Sequence, residues 1–288
     1  MKITAYAPAK INLFLDIAGR LDNGYHSLFM VMQSVGLEDI VTVEKSEEAG
    51  IFLTCSDNRL PTDEKNIAYK AAKKFFESIN TQPDVKIHIE KHIPFEAGLA
   101  GGSTDAAAVL VALNKLYSAE LSEYELCRIG LKVGSDVPFC VVGGTQLSQN
   151  TGGVLSKLAP LKDCFVVLAK PEKGVSTAQA YADADNSYIY HPDFIRMLDA
   201  CEKGNFEEIC RYSANVFEQV IEVAERVEIK EKMRAYGASL CQMSGSGPTV
   251  FGLFEDEEKA EECAKELEKI CPDVYVTKSL DRGIKLEY

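Results

Sequence analysis

Residues 94–113 read Pro94-Phe95-Glu96-Ala97-Gly98-Leu99-Ala100-Gly101-Gly102-Ser103-Thr104-Asp105, followed by Ala106-Ala107-Ala108-Val109-Leu110-Val111-Ala112-Leu113. Upstream, Val85, Ile87 and Ile89 alternate with Lys86, His88 and Glu90, which predicts a half-buried strand. Downstream, the alanine-rich run is a strong helix former. A glycine-bearing loop therefore leads from a strand into a helix expected to start near Ser103. Gly98, Gly101 and Gly102 remove side chains where the backbone would have to approach an anion closely. A helix start would aim its free N–H groups and positive dipole end at that anion. The loop lacks the lysine of a Walker A sequence and the spacing G-x-G-x-x-G. Alone, it reads equally as a phosphate cradle or as an ordinary loop capped by Ser103.

Periodicity organises the rest of the chain. Residues 11–17 and 39–44 read as strands, with Asp22-Asn23-Gly24 as a turn between them. Ile67, Ala71, Phe75 and Ile79 recur every four residues and predict a helix over 66–79. Ser122, with Glu125 three residues on, predicts a capping box opening a helix over 122–133. Beyond a boundary near 155–165, strands are expected at 165–169, 240–243, 249–254 and 273–277. Helical, charged sequence fills the stretch up to about 236, and 255–269 reads as an amphipathic helix with Ala260, Cys263, Ala264 and Leu267 inward. A length of 288 residues suits two α+β lobes better than one core.

Charge and cysteine usage exclude several classes. Acidic residues outnumber basic ones 44 to 31, which argues against sequence-independent nucleic-acid binding. No apolar run is long enough to span a membrane, and the opening Met1-Lys2-Ile3-Thr4-Ala5-Tyr6 is unlike a signal peptide, so a cytoplasmic protein is expected. The nine cysteines are odd in number and form no C-x-x-C, as expected for reduced, mostly buried thiols. The four histidines do not fall at zinc-ligand spacing with them, so no structural metal is expected.

Three further segments carry possible chemistry. Pro8-Ala9-Lys10-Ile11-Asn12 places a lysine and an asparagine at a strand; a surface lysine is the ordinary reading. Gly134-Ser135-Asp136-Val137-Pro138-Phe139 holds an aspartate in a tight turn, where a helix N-cap is the ordinary reading. Met243-Ser244-Gly245-Ser246-Gly247-Pro248-Thr249 would by itself be a hairpin turn. Together with the glycine loop they supply what phosphoryl transfer needs: neutralised phosphate charge, a positioned hydroxyl and a base. Asp136 can take the proton, and Lys10 can stabilise the developing alkoxide.

These segments, in this order, resemble the GHMP kinases: Pro8-Ala9-Lys10-Ile11-Asn12-Leu13, the loop Gly98 to Ala107, and Met243 to Pro248. Gly24-Tyr25-His26-Ser27-Leu28, Lys65-Asn66-Ile67-Ala68-Tyr69-Lys70-Ala71-Ala72 and Gly134 to Phe139 resemble the branch acting on a cytidine-diphosphate-linked methylerythritol in non-mevalonate isoprenoid synthesis. The resemblance implies a two-lobed α+β fold. Residues 1–158 would form a lobe resembling ribosomal protein S5 domain 2, and residues 159–288 a ferredoxin-like lobe closing the cleft. It implies ATP and Mg²⁺, a small-molecule acceptor phosphorylated at a hydroxyl (position 2), no nucleic acid or membrane partner, and a monomer or homodimer. Lys10 and Asp136 would be the catalytic pair. Residues Pro94, Phe95, Glu96, Ala97, Gly98, Leu99, Ala100, Gly101, Gly102, Ser103 and Thr104 would wrap the ATP phosphates, with Lys91 near the nucleotide. Asn12, Tyr25 and His26 would lie at the substrate end, with the cytosine stacked on Tyr25 and Tyr181 as a second stacking face.

Two departures stand out. Where the family has a Gly-Arg-Gly-Glu type of turn, the chain reads Ser148-Gln149-Asn150-Thr151-Gly152-Gly153-Val154, and Ala100 stands where many relatives have glycine. Two alternatives stay open at this point: a family member with a homoserine- or mevalonate-type acceptor, and a binding module that has lost turnover.

Overall fold

A computed structural model of the protein describes residues 2–22 and 24–288. Asn23, at the centre of the expected Asp22–Gly24 turn, lies outside the described residues. The first half contains strands β1 (Lys2–Arg20), β2 (His26–Lys45) and β3 (Gly50–Cys55), helix α1 (Ile67–Ser78), strand β4 (Asp84–Glu90) and helices α2 (Gly101–Leu116), α3 (Glu123–Leu131) and α4 (Val137–Val142). The hairpin β5 (Thr145–Asn150) and β6 (Val154–Lys157) closes it. The second half runs β7 (Phe165–Lys170), α5 (Thr177–Asp185), α6 (Phe194–Glu202), α7 (Phe206–Tyr212) and β8 (Ala214–Asn215). A 3₁₀ turn and α8 (Arg226–Ala235), β9 (Leu240–Met243), β10 (Val250–Phe254), α9 (Glu257–Leu267), β11 (Asp273–Leu280) and β12 (Lys285–Glu287) complete it.

Local chemistry accounts for the helices. Asn66 caps α1 by accepting from the Ala68 N–H, and Ala68, Ala71, Ala72, Phe75 and Phe76 form its buried face. Both bonds of the Ser122–Glu125 capping box are made at α3. Helix α9 buries Ala260, Cys263, Ala264 and Leu267, as the spacing predicts. Helix α2 buries ten of its sixteen residues. Its small alanines let it press simultaneously against α1, α4, β1 and β2.

The strands form one continuous sheet with the path β12-β1-β2-β11-β7-β10-β9. The two halves of the chain meet within it, because β11 from the second half pairs with β2 at Ser279↔Val35 and Leu280↔Ser34. The last strand, β12, returns to β1. β1 and β2 pair antiparallel over nearly their whole length, with irregularities at Pro8/Ala9, Asn12/Phe14 and Ile17/Gly19. Ile3, Ala5 and Ala7 belong to the core under α1 and α2, whereas Ala9, Ile11 and Leu13 enter a second core with Leu99, Val166 and Phe251. Strand side chains alternate between faces, so this second stretch fixes where Lys10 and Asn12 must point. A third core, under α8 and α9, contains Val167, Ile229, Met233, Phe254 and Leu267. Among the described residues no helix is long and apolar enough to cross a membrane. All nine cysteines are free and none is exposed.

Candidate active site

Lys10 is not a surface lysine. Ala9, Ile11 and Leu13 occupy one face of β1, so Lys10 and Asn12 leave the other, and both are buried. The Lys10 ammonium donates to Asn12 Oδ1 at 2.6 Å and lies 3.8 Å from Asp136 Oδ2. That second separation is an ion pair longer than a direct hydrogen bond, so the carboxylate keeps room for a proton donor of its own. The amide nitrogen of Asn12 is buried with no hydrogen-bond partner. Asp136 stands at the N-cap position of α4, yet its side chain makes no capping bond. Its carboxylate faces Lys10 instead.

The glycine loop closes over this pair. The Lys10 N–H donates to the Leu99 carbonyl at 3.1 Å, tying β1 to the loop. Gly98 has φ +74°, and a Cβ there would lie 2.2 Å from the Ser244 carbonyl oxygen. The Ser244 hydroxyl donates to the Gly98 carbonyl at 2.9 Å. Helix α2 starts at Gly101, two residues before the expected position. Ser103 is therefore inside the first turn rather than capping it. The turn into the helix is made by Ala100, whose φ of +59° puts a non-glycine residue in left-handed backbone. No side chain caps α2, and the first N–H groups of a helix have no partner within it. That is the donor set an anion needs.

The turn at 244–247 completes the enclosure. A Cβ on Gly245 would sit 3.4 Å from Lys10 Nζ and 3.2 Å from the Gly98 carbonyl oxygen. Asn215 holds this turn, its amide donating to the Met243 and Gly245 carbonyls at 2.7 and 2.8 Å. Gln242 donates to the carbonyls of Asn12 and Leu13. At the start of α5, the Thr177 and Ser246 hydroxyls are 2.9 Å apart. The segment is a β9–β10 hairpin, as its local sequence suggests, and also a wall of the site.

Lys91 takes a different place from Lys10. Its ammonium is bound by Asp39 and by Asp105 Oδ2 (2.7 Å), and its side chain is almost fully buried. Asp39 Oδ1 accepts from the His92 and Ile93 N–H groups at 2.6 and 2.9 Å. This network lies against the start of α2, where a Cβ on Gly101 would be 3.2 Å from Lys91 Nζ. Burial alone would lower the Lys91 ammonium, but the two carboxylates outweigh it and hold it above its ordinary value. Burial, with Asp39 adding to it, raises the Asp105 carboxyl well above the usual carboxylate range. Asp105 Oδ1 has no partner.

At the other end of β1, His26 opens β2. Its Nε2 is 2.7 Å from Asp185 Oδ1, and its ring stacks on Tyr181 at 4.6 Å and 14°. Tyr181 packs edge-on against Phe217. A face of Tyr181 that would stack on a base is thus covered by His26. Burial, and then the charge of Asp136, raises the Tyr181 phenol well above its ordinary value. Tyr25 and Phe95 are exposed. The unusual 148–154 segment forms the β5–β6 turn. There Gly152 has φ +94°, and a Cβ on it would come within 2.4 Å of the Ser135 carbonyl oxygen, next to Asp136.

The structure thus brings together Lys10, Asn12, Asp136, the 98–104 loop and the 244–247 turn, with Lys91 beneath the loop and His26, Tyr181 and Tyr25 at a second end. Sequence reasoning missed Asp39, Asp105, Asp185, Asn215 and Gln242. Each acts on partners far away in sequence or inside an unremarkable run, and no local spacing marks it.

Comparison with known proteins places the chain in a family. The family model described as the GHMP kinases N terminal domain matches residues 66–144, and that described as GHMP kinases C terminal matches 197–273. The chain belongs to the GHMP kinase family. This GHMP kinase is 46% identical over 283 residues to a Clostridium botulinum protein named 4-diphosphocytidyl-2-C-methyl-D-erythritol kinase, covering 97% of the chain and 100% of the relative. It is 42% identical over 290 residues, all of both chains, to a Geobacillus thermodenitrificans protein of the same name. Among solved structures, a 4-(cytidine 5'-diphospho)-2C-methyl-D-erythritol kinase superposes with TM-score 0.78 at 31% identity, covering 96% of this chain and 98% of the other. A homoserine kinase from Cytophaga hutchinsonii superposes with TM-score 0.79 at 20% identity, covering 99% and 97%, and shares the fold. The GHMP kinase is therefore a small-molecule kinase with ATP as its phosphoryl donor.

Proposed function

We propose that this kinase transfers the γ-phosphoryl group of ATP to the 2-hydroxyl of 4-diphosphocytidyl-2-C-methyl-D-erythritol, on the route to isoprenoid precursors. The observation that carries the reading is the pairing of buried Lys10 with the partly exposed Asp136, beside the glycine loop and the 244–247 turn. The relatives named for this reaction, matched over essentially the whole chain, support the choice of acceptor. On this reading residues 1–158 carry the phosphate loop and the catalytic pair, and residues 159–288 close the cleft.

The residues fit a nucleotide triphosphate. Gly98 admits no Cβ, and residues 94–104 lead into a helix start that no side chain caps. The N–H groups at 101–103 would hold phosphate oxygens. Lys91 supports that loop from below through Asp39 and Asp105. Mg²⁺, if bound with the nucleotide, would supply neutralisation of the phosphate charge as the phosphoryl group moves. Among the described residues no group of three or more His, Cys, Asp or Glu side chains is placed to hold a metal ion.

Asp136 accepts the proton of the 2-hydroxyl as its oxygen bonds to the γ-phosphorus and the bond to the β–γ bridging oxygen breaks, releasing ADP. Lys10 stabilises the charge that develops on the attacking oxygen. The unpartnered Asn12 amide donates to an oxygen of the acceptor or of the transferring group. Tyr25 and His26 receive the cytosine, with Tyr181 behind His26.

ADP release with ATP, Mg²⁺ and the cytidylated substrate, run beside homoserine and mevalonate, tests the reading. Turnover of the cytidylated substrate alone is expected. Asp136→Asn should lower kcat by at least roughly 10²-fold, because general-base catalysis is typically worth that much. Turnover of homoserine or mevalonate in preference, or near-normal turnover by Asp136→Asn, would overturn the acceptor or the role.

A further inference from the structure

The base-reading end contains a residue that reaches no substrate itself. Asp185, at the end of α5, holds Nε2 of His26 at 2.7 Å, while the flat face of the same imidazole rests on Tyr181. The His26 side chain is largely buried, and the Arg20 guanidinium lies 3.7 Å from the Asp185 carboxylate. Two groups from α5 thus fix the ring in both orientation and tilt, and one of them is a carboxylate.

A carboxylate can only accept, so it selects the imidazole form with its proton on Nε2. The other ring nitrogen of neutral His26, Nδ1, is then a bare acceptor. Cytosine and uracil differ at this kind of contact. Position 4 of cytosine is an amino group that donates, and position 4 of uracil is a carbonyl that accepts. We propose that Asp185 is a specificity-determining positioning residue: by holding Nε2–H it makes His26 Nδ1 an acceptor that pairs with the exocyclic amino group of cytosine and rejects uracil. The inference rests on the reading of the Tyr25–His26 end as the cytidine site. The hydrogen bond from His26 is the leading cause that holds Asp185 below the usual carboxylate range, so it is ionised as this role requires.

Two apposed acceptors leave both unpaired in a largely buried site, and a mismatch of this kind costs on the order of 1–3 kcal/mol. Cytidine diphosphate should therefore bind roughly 10- to 100-fold tighter than uridine diphosphate.

The test is calorimetric titration of the full-length protein with cytidine and uridine diphosphates, with the ATP site filled by a non-hydrolysable ATP analogue. It is paired with ¹⁵N NMR of histidine-labelled protein, His26 being assigned by its loss in His26→Gln. The expected result has three parts: preference for the cytidine ligand, a His26 signal protonated at Nε2 and bare at Nδ1, and loss of most of the preference in Asp185→Ala with recovery in Asp185→Glu. A His26 proton on Nδ1 in the wild type, or an undiminished preference in Asp185→Ala, overturns the proposal. Absence of any cytidine preference in the wild type overturns it as well. Binding and tautomer are read without turnover, so a protein that prefers cytidine but phosphorylates another acceptor would fail the proposed reaction and leave this inference standing.

Discussion

Gly98→Ala tests whether the glycine loop and the 244–247 turn are one structure. The added Cβ would stand 2.2 Å from the Ser244 carbonyl oxygen and 3.1 Å from that of Gly247. Both obstacles are backbone, so no rotamer change relieves them, and ordinary contact begins near 3.4 Å. The loop and turn must separate by about 1 Å. Alanine also pays about 1 kcal/mol or more for φ +74°. Separation breaks the 2.9 Å bond from Ser244 to the Gly98 carbonyl, worth about 1 kcal/mol net. The summed destabilisation is roughly 2–4 kcal/mol, and misplacing a catalytic element by ~1 Å can cost on the order of 10²-fold in rate. Urea unfolding should show the first effect, and steady-state kinetics with ATP varied the second. Ser244→Ala serves as a comparison, since it removes the hydrogen bond without forcing the chains apart, and should lose about 1 kcal/mol with a much smaller kinetic effect. A Gly98→Ala enzyme with an unchanged urea midpoint and kcat/KM for ATP within twofold of wild type would refute the packing argument.

Further expectations concern the same neighbourhood. Ala100→Gly relieves left-handed backbone at a non-glycine residue and should raise unfolding free energy by up to about 1 kcal/mol; a clear loss in urea would count against strain at that position. Gly152→Ala drives a Cβ into the Ser135 carbonyl and should lower kcat at least tenfold through Asp136, while KM for ATP moves less than threefold; an equal change in both would place the damage elsewhere. Asp105 holds its proton more tightly folded than unfolded, because burial raises its carboxyl. That contribution is complete below the unfolded value near pH 4 and is lost as pH rises through the folded value. The stability difference between wild type and Asp105→Asn should accordingly shift against the wild type as pH rises above the unfolded carboxylate value, and a difference independent of pH in urea titrations would exclude the buried proton.

Much of the local architecture was legible because its causes are local. The Asn66 cap, the Ser122–Glu125 box and the inward face of α9 each depend on residues within one or two turns. The start of α2 was misplaced because Ala100 adopts left-handed backbone, which sequence assigns to glycine. Lys10 and Asp136 read alone as a surface lysine and an N-cap. Their pairing became visible only through the order of four motifs, and the geometry then showed that neither ordinary reading holds. Lys91 illustrates the opposite case. It carries a positive charge expected near the nucleotide, yet Asp39 and Asp105 hold it beneath the loop, and no spacing relates residues 52 and 14 positions away.

The sequence by itself determined the kinds of element, the glycine positions where backbone approaches backbone, and the set of groups able to neutralise, donate and accept a proton. These follow from backbone sterics, periodicity and side-chain chemistry, which act over a few residues. Only the tertiary structure decided which groups meet. The irregularities in β1 set which face Lys10 and Asn12 leave by, β11 and β12 return to the first half of the chain, and Asn215 holds the 244–247 turn against Lys10. The β11 and β12 contacts join residues more than 200 positions apart, and it is the shared packing of the cores, rather than any local preference, that selects such pairings.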